Sequence, residues 1–266
     1  MPSHLSGTAL VSGATAGIGL EFARTLAAQG HELVVVARDG ARLQQVADQL
    51  RAEFGVGVEV LVADLCDRTQ VERVADRLRD TADPVDILVN NAGFGLAQRF
   101  VGGDLEREEA MLAVLVTAVL VLSHAAAPGM AARGRGQIIN VSSVASFLTT
   151  GTYSAAKAWV TTFTASLAIE LDGTGVTATA VCPGFVRTEF HQRLGARGPV
   201  APAWAYVPVT EVVNTALAAA VAGRPVSIPT RRYRTVVALA RQLPLRLSHR
   251  VNRRLAGGRR GRGRQR

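Results

Sequence analysis

The 266-residue chain is long enough for one large α/β domain or two small ones, and its 48% of hydrophobic residues supplies a sizeable core. The formal net charge of +9 is lopsided: residues 231–266 hold thirteen arginines and no acid, leaving residues 1–230 with 17 basic and 21 acidic side chains, so any partner chosen by charge is a partner of the tail. Two cysteines far apart, Cys66 and Cys182, argue against a disulfide scaffold or a zinc cluster and suit a reducing compartment, and the opening MPSHLSGTALVSG lacks a secretory pattern, so a cytoplasmic location is expected.

TALVSG (8–13) is a short apolar run that predicts a buried parallel strand, and Ile18, Phe22 and Leu26 then recur at helical spacing to about Gln29. HELVVVAR predicts a second strand, ARLQQVADQLRAEF an amphipathic helix, VEVLVADL a third strand and QVERVADRLRD a third helix. VDILVNNAG is the fourth strand, followed by a long helix around 104–133. Within it, the uncharged stretch from Met111 to Met130 approaches the length of a membrane span. Ser123, His124, Pro128 and Gly129 interrupt that stretch and regular α/β units surround it, so a buried core or interface helix is the preferred reading. GQIINVSS, a long helix over TYSAAKAWVTTFTASLAIEL, GVTATAVCPG, a helix near 210–222 and the short strand PVSIP complete the body. Six or seven strands alternating with helices predict a doubly wound parallel sheet covered on both faces. The expected division is a body over 1–230 and an arginine-rich extension over 231–266.

Such sheets bind ligands at the carboxyl ends of their strands. SGATAGIG puts Gly13, Gly17 and Gly19 between the first strand and first helix, where glycine admits a sharp turn and the helix N-terminus presents free N–H groups to a pyrophosphate. At the end of the second strand, an NAD-preferring fold keeps an acid for the ribose hydroxyls. This chain has Ala37 and Arg38, and an arginine suits a 2′-phosphate, so NADP is the expected cofactor, with Asp39 as a weaker ribose partner.

SGATAGIG, NNAG (90–93), YSAAK and PGFVRT (183–188), in this order on these elements, resemble the short-chain dehydrogenase/reductase family over about residues 5–230. The resemblance implies a single Rossmann domain and a homo-oligomer. It implies cofactor contacts from Gly13, Thr15, Gly17, Ile18, Gly19, Arg38, Asp64, Leu65, Asn91, Ala92, Gly93, Pro183, Gly184, Val186 and Thr188, with Asp64 at the adenine and Val186 and Thr188 at the nicotinamide carboxamide. Asn90 and Gly93 are expected to support the sheet and the pocket. It also implies catalysis by Ser143, Tyr153 and Lys157, the last two also touching the cofactor.

Of thirty basic residues, twenty-nine are arginine, and Lys157 is the single lysine. One helical turn from Tyr153, its ammonium is expected to favour the phenolate and draw the tyrosine towards working pH, a compact role that a planar guanidinium does not fill.

Two departures stand against the family pattern. The Ser143–Tyr153 segment is about three residues short, which leaves Ser143 ahead of Ser142 for the serine role. Leu115 occupies the position where the long helix usually carries an asparagine that bends it and holds a relay water. Around 185–208, Phe185, Phe190, Leu194, Trp204 and Tyr206 predict an apolar lid over a lipophilic carbonyl or alcohol. His191 reads as a lid residue, and no metal site is expected.

In the tail, Val236, Leu239, Ala240 and Leu243, then Leu247, Val251 and Leu255, recur at helical spacing among arginines. Two readings stand for it: a helix on an anionic membrane surface, which would make the protein peripheral on the inner membrane face, or a helix packed on the body. Binding of nucleic acid is not expected, because no aromatics interleave the terminal GGRRGRGRQR. For the whole chain, an NADP-dependent oxidoreductase stands first, and a non-catalytic NADP-binding or membrane-associated protein on the same scaffold stands second.

Overall fold

In a computed structural model the described residues are 7–190 and 201–242. The strands are β1 (Thr8–Ser12), β2 (Glu32–Ala37), β3 (Val58–Val62), β4 (Val85–Asn90), β5 (Gly136–Val141), β6 (Val176–Val181), β7 (Phe185–Val186), β8 (Tyr206–Val207) and β9 (Val226–Ser227). The helices are α1 (Gly17–Ala28), α2 (Gly40–Phe54), α3 (Arg68–Arg79), α4 (Leu105–Leu112), α5 (Ala118–Arg133), α6 (Thr152–Glu170), α7 (Val209–Val221) and α8 (Arg231–Gln242). A π-helical turn, Ala113–Thr117, joins α4 to α5.

Seven strands form one parallel sheet in the order β3-β2-β1-β4-β5-β6-β9, the expected Rossmann winding, while β7 and β8 make a separate two-stranded pair. Alternation along each strand divides the core. Ala9, Val11, Leu33 and Val35 face α1, α2 and α7, with Phe22 and Leu26 fully buried between them. Leu10, Val34, Leu88 and Ile138 face α3 and α5. Each fully buried Leu or Phe contributes about 1.5–3 kcal/mol, so the two apolar faces hold the sheet between its helical layers.

The long apolar helix belongs to this core. Leu105–Arg133 is long and apolar enough to cross a membrane, but half of its most apolar stretch is buried in the fold. Pro128 sits inside α5 without ending it, and Ser123, fully buried, accepts a hydrogen bond from Asn90 Nδ2 at 3.2 Å, so the polar positions that break the apolar run do not break the helix.

Strand order reverses between β1 and β4, which opens a crevice at their carboxyl ends. The first twelve residues of the arginine-rich segment are α8, and they pack on the body: Val237 is buried, and the Tyr233 hydroxyl reaches Phe185 at the start of β7. Leu243, Leu247, Val251, Leu255 and the terminal arginines lie outside the described residues, as do His191 and Leu194.

Candidate active site

At the crevice, Gly13 (φ +68°) and Gly17 (φ +57°) both adopt the left-handed conformation that favours glycine. A Cβ on Gly13 would come within 2.9 Å of Ala92 Cα, and one on Gly17 within 3.0 Å of Thr188 Cγ2. The turn is therefore pressed between the loops after β4 and β7. Asn91 holds it there: its Nδ2 donates to the Ser12 and Gly13 carbonyls at 2.9 and 3.2 Å, and Ser12 Oγ accepts from the Asn91 and Ala92 amides at 3.0 and 3.1 Å.

Helix α1 begins at Ala16 with no side-chain cap, whereas α2, α3 and α4 are capped by Asp39, Asp67 and Asp104. The orphan N–H groups of α1 face the crevice beside a turn with no room for a side chain at Gly13 or Gly17, a donor set that fits a pyrophosphate. At the end of β2, the Arg38 side chain is 64% exposed and stands 3.9 Å from an Asp64 carboxylate oxygen, too loose a contact to immobilise it. Asp39 caps α2 by accepting from the Arg42 amide at 3.0 Å, and so serves the helix rather than the crevice. Asp64 Oδ1 accepts from the Cys66 amide at 3.0 Å, and Leu65 is buried behind it.

Strand β5 delivers the other half of the site. Ser143 caps the 3-10 turn Val144–Phe147, its Oγ accepting from the Ala145 amide at 3.1 Å. Ser142 is excluded from the open side: it is buried and bonded to the Lys157 carbonyl at 2.8 Å and to Thr161 Oγ1 at 2.7 Å. Tyr153 packs against Met111, Leu115 and Ala156, and its ring lies 5.9 Å from that of Phe190. Lys157 is buried one turn along α6; its Nζ donates to the Val141 carbonyl at 2.6 Å and stands 5.9 Å from the Tyr153 ring centre.

The expected lowering of the tyrosine does not occur in the protein alone. Burial, which disfavours phenolate, pushes Tyr153 up to about 12, with a hydrogen bond to Ser143 pulling the other way. Burial also depresses Lys157 to about 8, with the neighbouring Cys182 pulling upward. Desolvation prevails at both groups, and at neutral pH the pair stands as a phenol beside an ammonium.

The short chain dehydrogenase family pattern matches residues 7–198. The chain belongs to the short chain dehydrogenase family. As a short chain dehydrogenase it is an oxidoreductase acting on CH–OH or C=O groups. Over 196 residues it is 40% identical to the granaticin polyketide synthase putative ketoacyl reductase 1 of Streptomyces violaceoruber, covering 70% of each chain. Among solved structures it is similar to a short-chain dehydrogenase from Sphingobium yanoikuyae in complex with NADPH, at 34% identity and a TM-score of 0.80, covering 98% of each chain. It is also similar to a bulky-bulky ketone specific alcohol dehydrogenase from Comamonas testosteroni, at 33% identity and a TM-score of 0.76, covering 89% of this chain and 92% of that one.

Within the dehydrogenase, Leu115 is the central residue of the π turn, whose wide hydrogen bond runs from the Ala118 amide to the Ala113 carbonyl. The bend is therefore kept although the asparagine is not. Leu115 is buried, and its Cδ2 lies where a Cβ on Gly93 would approach to 2.6 Å, so apolar packing fills the relay position.

Two supports, Asn140 and Glu108, escaped the reading from sequence. Asn90 and Asn140 bond across β4 and β5 at 2.9 Å, and Asn140 reaches Thr164 on α6 at 2.9 Å. Buried Glu108 accepts from Thr152, next to Tyr153, at 2.6 Å and from Gln98 at 3.0 Å. The asparagines were visible as polar residues inside apolar strands. The Glu108 contact, 44 residues away in sequence, left no local signal.

Proposed function

We propose that the chain is an NADPH-dependent reductase of lipophilic ketones or aldehydes, running in reverse on the corresponding alcohols. The observation that carries this reading is the grouping of Tyr153 with Ser143 and buried Lys157, in a fold whose crevice has a turn and an uncapped helix that suit a dinucleotide.

The turn residues Gly13, Thr15, Gly17, Ile18 and Gly19 would hold the pyrophosphate, and Arg38 the 2′-phosphate. Asp64 and Leu65 would lie by the adenine, Asn91, Ala92 and Gly93 along the cofactor's middle, and Pro183, Gly184, Val186 and Thr188 by the nicotinamide. NADPH, when bound, supplies the hydride that the carbonyl carbon gains. Ser143 Oγ orients the carbonyl oxygen by donating a hydrogen bond, and Tyr153 Oη gives that oxygen its proton. The ammonium of Lys157 then stabilises the tyrosinate until it recovers a proton from water. A phenol as basic as Tyr153 keeps its proton through the neutral range, which favours reduction there and makes alcohol oxidation climb with pH.

The lipophilic substrate class is supported by Phe190 beside Tyr153, by exposed Trp204 at 69% and Phe185 at 36%, and by the likeness to the bulky-ketone enzyme. Leu115 favours a second reading, an NADP-binding protein that does not turn over. The deciding experiment screens hydrophobic ketones and aldehydes with NADPH, following cofactor absorbance, in the parent and in Tyr153→Phe. Turnover lost in the variant with NADPH affinity unchanged supports the first reading. NADPH binding with no turnover of any carbonyl by the parent supports the second.

A further inference from the structure

We infer that Tyr233 is a positioning residue for the nicotinamide side of this site. The inference deepens the proposed reductase reading and rests on it for its kinetic consequence, though its structural part stands alone.

Strands β7 and β8 pair through two rungs, Phe185 with Tyr206 and Val186 with Val207, and so short a ladder is marginal without support. Tyr233 supplies the support from outside the sheet. Its hydroxyl accepts from the Phe185 amide at 3.2 Å and donates to the Ala205 carbonyl at 2.7 Å, bridging the two segments at one end of their pairing. Its ring lies over Gly184, where an added Cβ would run into the ring carbons. The glycine of PGFVRT thus makes room for Tyr233, a use distinct from any contact with cofactor.

Helix α8 is placed for this role. Thr230 Oγ1 accepts from the Tyr233 amide at 3.2 Å at the start of the helix, Arg232 Nη1 donates to the Trp204 carbonyl at 2.8 Å, and buried Val237 seats the next turn. Downstream of the bridge, the same short segment carries Val186, Thr188 against the Gly17 turn, and Phe190 against Tyr153. A small displacement of β7 therefore moves residues on both the cofactor and the substrate side, and misplacement of about 1 Å in such a site costs up to about 100-fold in rate.

The test uses the full-length chain with Tyr233→Phe, which keeps the ring and removes only the bridging oxygen, and with Arg232→Ala as a milder second variant. Hydrogen exchange of the protein alone is read over 183–188 and 204–208. Exchange about tenfold faster there in Tyr233→Phe, with the central strands unchanged, is expected; unchanged exchange overturns the bridge. With NADPH and a carbonyl substrate, kcat should fall about tenfold while the KM for NADPH moves less than threefold. Faster exchange with kcat within twofold of the parent overturns the positioning role and leaves Tyr233 a stabilising residue. If the parent reduces no carbonyl, the reductase reading fails, and the exchange arm still decides whether Tyr233 holds the two strands.

Discussion

Arg38 and Asp39 are neighbours with different duties. The Asp39 carboxylate caps α2, while the Arg38 guanidinium is exposed and only loosely near Asp64. An arginine in that condition is available for a phosphate, and paired charge-assisted hydrogen bonds of this kind contribute about 1.5–3 kcal/mol. Arg38→Ser should therefore raise the Kd for NADPH by about 10- to 100-fold, with that for NADH changing by less than about threefold, as read by titration of intrinsic fluorescence. Equal losses for both cofactors would remove Arg38 from the phosphate site. Lys157 makes a second residue-scale prediction. Its folded value of about 8 lies below its ordinary 10.5, so between those limits the unfolded chain holds a proton that the native chain lacks, and stability rises with pH. Below pH 8 the penalty is constant. Tyr153 acts with the opposite sign above pH 10: its native phenol keeps a proton to about 12, and stability falls through that window. Urea unfolding at pH 7.0 and 9.5 should show a gain of about 2 kcal/mol in the parent from this lysine. In Lys157→Met that gain should disappear.

The α4–α5 helix shows what an element keeps when its characteristic residue is lost. The π turn survives with leucine at its centre, since the widened Ala118–Ala113 hydrogen bond is a backbone feature and the buried side chain packs against Met111 and Ala156. Leu115→Asn places an amide in that apolar contact and should lower the unfolding free energy by about 3 kcal/mol in urea titrations. Turnover should change by less than about threefold, because Lys157 is anchored on the Val141 carbonyl on its other side. A large gain in kcat would show that the missing relay limits the parent. The seven main strands and most helices were legible because each is a continuous apolar run or has helical spacing, punctuated by Gly13, Gly55, Gly134 or an aspartate cap. The π turn was not legible, since AVLVT has no residue that distinguishes it from α-helix. Nor was the β7–β8 pair, whose two-residue strands are too short to display a period. In the candidate site, the closeness of Ser143, Tyr153 and Lys157 was legible and the proton balance was not: the phenol's environment depends on burial contributed by Met111, Leu115 and Ala156, which only the folded chain assembles.

At the scale of the molecule, the arginine-rich segment is not one unit. Residues 231–242 include the Tyr233 bridge and the Val237 anchor, so ending the chain after Thr230 should damage the nicotinamide side of the site. Ending it after Gln242 should leave NADPH binding and turnover intact and should abolish co-sedimentation with anionic vesicles at low salt, which the full chain is expected to show at about 1 kcal/mol per engaged arginine. A full chain that ignores such vesicles removes the membrane role. Leu105, Leu112 and Leu120 leave exposed apolar surface along the long helix, at 63%, 41% and 43% exposure. We expect this surface, with α6, to bury itself against a second copy, and Leu112→Asp with Leu120→Asp to shift sedimentation velocity from oligomer towards monomer. The single lysine has one further consequence. Because no other side chain in the molecule carries an ε-amino group, feeding isotopically enriched lysine to the expressing cells would put the label at one address, and that address is the site itself. Its magnetic resonance would be a spectrum of one line, free of overlap, whose movement reports protonation, ligand arrival and every change in the pocket without any mutation being made.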